Sequence, residues 1–191
     1  MKTPLATRRF INFLLLLAIV LSAGCTTYVG KVDKLDGYDK KLAQVAVAWH
    51  RPVKLKTEIT KSSQGGSAII TPQEKIDSKQ GIDTLLSLFS VHSVQLVTDG
   101  LRNNGVTLAK TGDQFAQKLN LVVHQSRTEC VPLGCTHNLW IRASILDFEL
   151  KRFVWTGYFK VGAPYSKQSD IAAIESFSRA LIDELKNSEL I

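Results

Sequence analysis

Ile171, Ile174, Phe177, Leu181, Ile182 and Leu185 recur at steps of three and four, opposite Glu175, Arg179, Asp183 and Lys186. That spacing gathers the apolar side chains into one stripe and predicts an amphipathic helix over 171–185, capped by Ser169 or Asp170. A second helical pattern runs over 82–102, where Ile82, Leu85, Leu86, Phe89, Leu96 and Val97 share a face. Asn103, Asn104 and Gly105 then supply a stop that tolerates left-handed backbone, while Gly100 weakens the last turn. This helix carries more apolar residues than one stripe needs. Leu88, Val91, Val94 and Leu101 fall outside the first face and form a candidate docking flank for another protein or a second copy.

Elsewhere the period is two. Ala43, Val45, Val47 and Trp49 alternate with Gln44, Ala46, Ala48 and His50, the pattern of a half-buried strand, and Pro52 ends it. Val53, Leu55 and Ile59 alternate with lysines and Glu58, and the cluster KSSQGG at 61–66 turns the chain into a returning strand at 67–71. Leu119, Leu121 and Val123 mark a further strand, and Leu139, Ile141, Ala143 and Ile145 another. The apolar phase flips at Leu146, Phe148 and Leu150, which predicts a bulge near 145–146. A tight turn at Lys151 and Arg152 leads to a strand through Phe153, Trp155, Phe159 and Val161. Strands, helix, three strands and helix predict an α+β fold, an antiparallel sheet with about two helices packed on one face.

The N-terminus changes the picture. Lys2, Arg8 and Arg9 precede an unbroken apolar run, FLLLLAIVL at 13–21, and then the small residues Ser22, Ala23 and Gly24. This is the order of a secretory signal, and the run is too short to span a bilayer. At Cys25 the segment Leu21-Ser22-Ala23-Gly24-Cys25 resembles the lipobox of bacterial lipoprotein precursors, with Leu21 one position earlier than usual. The resemblance implies cleavage after residue 24, acylation of Cys25, and an outer-membrane location facing the periplasm, because Thr26 rather than Asp follows the cysteine. Residues 1–24 are then the signal peptide, 25–41 a lipidated N-terminus and flexible tether, and 42–191 a single domain. The layout over 42–187 resembles small accessory domains of Gram-negative outer-membrane lipoproteins, of the transport-auxiliary or cell-wall-synthase-activator type, and brings no motif.

With Cys25 acylated, two cysteines remain. Cys130 and Cys135 flank Val-Pro-Leu-Gly, and in an oxidising compartment they read as a disulfide that stiffens a loop. The alternative is a zinc site drawing on His137 and His124, whose spacing matches no closed structural site well. The formal charge of the whole chain is +7, and three of those charges leave with the signal, so nucleic acid is not an expected partner. Arg51, Lys54, Lys56 and Lys61 form a basic strand face able to touch anionic headgroups or glycan. Asp147 and Glu149 read as solvated charges. No nucleophile elbow, metal-protease helix or carboxylate pair appears. The expectation is a non-catalytic, lipid-anchored module docking on an envelope protein, without cofactor or metal; the alternative is a ligand carrier or hydrolase working through a pocket.

Overall fold

The computed structural model describes residues 26–50, 55–63, 66–110, 114–131, 134–164 and 167–191. Among them lie β1 (Thr26–Lys34), β2 (Gln44–His50), β3 (Lys56–Ser63), β4 (Gly66–Ser67), α1 (Pro72–Asn103), β5 (Thr107–Leu108), β6 (Gln117–Val131), β7 (Gly134–Asp147), β8 (Arg152–Pro164) and α2 (Lys167–Asn187). The fold is α+β, but the sheet is mixed rather than wholly antiparallel. β6, β7 and β8 form an antiparallel meander, and β1 adds antiparallel to β8. On the other side β2 and β3 lie end to end along β6 and run parallel to it. The cause is α1: a helix between neighbouring strands carries the chain back to its starting end, so the next strand enters in the same direction.

α1 begins ten residues before the expected start. Thr71 is its N-cap in an extended conformation, Glu74 N–H donates to Thr71 Oγ1, and Thr71 N–H donates back to Glu74 Oε2 at 2.8 Å. This reciprocal pair satisfies two orphan donors, and Pro72 suits the first turn because its missing N–H would have no partner there. Lys61 and these Thr71 bonds hold the Glu74 carboxyl down to about 2. The helix stops where expected, with Asn104 as C-cap and Gly105 at φ +82. Gly100 remains helical, and a Cβ there would lie 2.7 Å from Ile182 Cγ1, so the glycine allows α1 and α2 to approach. α2 starts at Lys167, which leaves Ser169 and Asp170 inside its first turn rather than at the cap.

Both helices pack on one face of the sheet. Leu119, Leu121, Val123, Leu139, Ile141, Ile145, Trp155, Phe159 and Val161 meet Phe89 and Val97 of α1 and Ile174, Phe177 and Leu181 of α2. Phe177 is central, with ring centroids 5.8 Å from Phe89 and 5.4 Å from Phe159. Each such burial stabilises the fold by roughly 1.5–3 kcal/mol. Leu96, expected on the buried face, is 37% exposed. The expected irregularity at 145–146 is present: Ile145 pairs with Trp155 and Leu146 with Phe153, so Val154 is an extra residue on β8. Asp147 is buried, not solvated. It accepts from Tyr38 Oη at 3.0 Å and from the N–H groups of Glu149 and Leu150, tying down the turn between β7 and β8.

The stretch expected to be a tether is largely strand. Thr27, Val29, Val32 and Lys34 turn inward, with a register shift between Val29 and Val32. That bulge breaks the period of two, which is why the segment reads as irregular. Leu35 N–H donates to Val154 O, and Tyr38 and Leu42 are buried in the core.

Candidate binding face

Alternation along a strand sends successive side chains to opposite faces, so the strands that bury one set of residues must display the other. With the helices on one face, the described residues leave the second face of β6, β7, β8 and β1 open. Its central row follows from the pairing register: Tyr28 lies opposite Lys160, Lys160 opposite Trp140, and Trp140 opposite Gln125. The next row joins Tyr158 to Arg142 and Arg142 to Val122. Trp140 is half-buried, with the Arg127 guanidinium 5.8 Å and the Lys160 ammonium 5.3 Å from its ring centroid. His124 is the extra residue of a bulge in β6, and its ring meets Tyr158 edge-on at 6.1 Å.

The charges on this face divide into two groups. Arg127 donates to Glu58 through Nε and Nη2 at 3.0 and 2.6 Å, and Lys56 reaches the other Glu58 oxygen at 2.8 Å. Lys56 first and Arg127 second hold the Glu58 carboxyl below its ordinary range. Lys31 pairs with Asp33. Lys118, Arg142 and Lys160 have no carboxylate partner among the described residues. Burial, aided by the Arg142 charge, pushes the His124 pKa down, so this imidazole is neutral at pH 7 and adds no charge. The face therefore combines exposed or half-buried rings with three unneutralised cations. It suits recognition of an acidic surface by stacking and charge.

Cys130 and Cys135 lie directly opposite one another at the end of the hairpin and are joined as a disulfide, with an S–S distance of 2.07 Å and Cα atoms 4.0 Å apart. The zinc alternative fails on this bond and on direction. His137 is buried on the helix side with Nδ1 2.8 Å from Thr128 Oγ1, while His124 is on the open face. Cys25, Arg51 and Lys54 lie outside the described residues. Lys61 pairs with Glu74 at 2.6 Å, so the expected basic strand face is neutralised where it is described.

The four docking candidates on α1 do not form one surface. Leu101 is fully buried in the core, which removes it from any docking flank. Leu88 packs against the core and Val94 is half-buried, leaving Val91 as the exposed member at 62%. α1 is apolar on more than one side because α2 covers a second side. The open sheet face was missed, although one signal for it was readable: Trp140 and Arg142 sit in the outward phase of the strand through Leu139 and Ile141.

No family model and no curated protein matches the chain. Among solved structures it is similar to a PelC dodecamer subunit from Paraburkholderia phytofirmans, at 14% identity, TM-score 0.39, over 83% of this chain and 95% of that one. It is also similar to XCC0632 from Xanthomonas campestris, a DUF330 protein, at 13% identity, TM-score 0.41, over 84% and 90%. A third likeness is to lipoprotein GNA1162 from Neisseria meningitidis, at 14%, TM-score 0.32, over 76% and 99%. Likeness of this degree is too slight to carry a role over to this chain. Among the described residues no helix is long and apolar enough to cross a membrane.

Proposed function

We propose that this protein is a lipid-anchored, non-catalytic binding module of the cell envelope that docks an acidic protein surface on the open face of its sheet. The observation that carries this reading is Trp140 held between Arg127 and Lys160, beside Tyr158, Tyr28 and the unpaired Arg142. Tryptophan, tyrosine and arginine are the residues that dominate protein interfaces when they cluster. Four strand positions at about 4.8 Å spacing give a platform about 19 Å across, in scale with a standard interface. The secretory signal and lipobox resemblance support an anchor at Cys25 and a partner in the envelope. The docking site moves from the α1 flank to the sheet because the flank reduces to Val91.

Charge reversal tests the reading. Arg142→Glu combined with Lys160→Glu is expected to abolish recovery of a partner from native membranes, while thermal unfolding stays close to that of the parent protein. Undiminished recovery with both charges reversed refutes the role of this face.

A further inference from the structure

The outer side of the helical layer carries a cleft of about 390 Å³ where α1 and α2 meet at Gly100 and Ile182. Leu96 of α1 and Ile182 of α2 supply its apolar lining. Ile171 continues that line, because steps of seven and four through Ser178 to Ile182 stay on one side of a helix. Leu96 is 37% exposed and Ile171 is 38% exposed, so the seam is not covered by the rest of the chain.

The rim of the cleft is charged. Glu175, Arg179, Asp183 and Lys186 follow one another along α2 at steps of four, four and three, alternating in sign. All four are exposed, and each stands one helical turn from an opposite charge. Among the described residues none of them makes an ion pair. Such a row is complementary to itself when reversed. Laid antiparallel against a second copy, Arg179 falls opposite Asp183 and Glu175 opposite Lys186, with both pairs centred at Ala180 and Leu181. A two-fold axis at that turn makes each pair twice and closes the apolar seam of both copies.

We propose that the protein forms a two-fold dimer of itself through this helical face, with the α2 helices antiparallel across the cleft. α2 has 21 residues and is about 31 Å long, and α1 packs beside it at about 8–10 Å. The face so formed covers about 600 Å² a side, the lower end of specific interfaces, which suits a reversible dimer. The open sheet faces lie on the far side of each copy. One dimer therefore presents two docking surfaces, pointing away from each other.

Complementary charge reversal tests the dimer on the full-length protein in detergent, by sedimentation velocity. One variant carries Glu175→Lys with Asp183→Lys, and the other Arg179→Glu with Lys186→Glu, so each row has a single sign. The parent is expected to sediment as two chains at about 100 μM, where a micromolar dimer is fully formed. Each variant alone is expected to sediment as one chain, its dissociation constant raised about 100-fold or more by like charges brought face to face. An equimolar mixture of the two is expected to return to two chains. Circular dichroism checks that both variants are folded, and Arg142→Glu with Lys160→Glu is expected to leave the dimer intact. A parent of one chain at every concentration overturns the proposal. So do variants that remain paired by themselves, and a mixture of folded variants that fails to pair.

Discussion

Replacing Asp170 by Asn should make the protein more stable at neutral pH and leave it no better in acid. Asp170 is 7% exposed in the first turn of α2, and its Oδ1 receives no hydrogen bond from the described residues. Burial raises its pKa from 3.8 to about 6, in spite of the favourable helix N-terminus. A shift of about two units amounts to about 3 kcal/mol between the protonation states. The folded-state pKa is the raised one, so the stability linked to this proton is complete below about pH 3.8 and is lost as pH rises through about 6. Asn carries no charge, and its own unmet hydrogen bonds return about 1 kcal/mol of the benefit. The expected net gain is about 2 kcal/mol near pH 7.5, vanishing near pH 4. Urea unfolding of the parent and variant proteins, followed by tryptophan fluorescence at both pH values, reads the difference. Equal stability at pH 7.5, or a gain of the same size at both, would show that the carboxylate is satisfied and the reasoning wrong.

Other expectations follow from single contacts. A Cβ on Gly157 would lie 2.7 Å from Trp155 Cη2 and 3.0 Å from Phe159 Cε2, both on buried rings, so Gly157→Ala should lower stability by about 1–3 kcal/mol in thermal unfolding. Val91→Glu should shift stability by less than about 0.5 kcal/mol, whereas Leu101→Glu buries an unpaired charge and should unfold the domain, as circular dichroism would report. Reducing the disulfide should release two alkylatable thiols and cost about 2 kcal/mol, since the closed loop is short. Stoichiometric alkylation before reduction would contradict it.

The helix of 171–185 was legible because its stripe is continuous and its opposite side charged. The first turns of α1 were not, since their one large apolar residue, Ile76, is itself exposed; the Thr71 and Glu74 box was the readable signal. Strand direction was misread for a topological reason. Local alternation at Val45, Val47 and Trp49 is identical in parallel and antiparallel pairs, and the helix between β3 and β6 decides between them. β1 was hidden by the bulge at Gly30 and Lys31, and Asp147 by the general rule that strand-end carboxylates face water. The disulfide was readable from compartment and spacing. The binding face was half readable: Trp140 stood in an outward phase, but its grouping with Tyr28, Tyr158 and Lys160 depends on register across three strands.

Docking of partners on the open sheet face is the proposal on which the function rests. Its most direct test is a photo-crosslinking amino acid at Tyr158, with the same residue at Val91 as the comparison, in cells carrying the full-length protein. A discrete protein adduct is expected from Tyr158, lost with Arg142→Glu, and none from Val91. An adduct from Val91 with none from Tyr158 would contradict it.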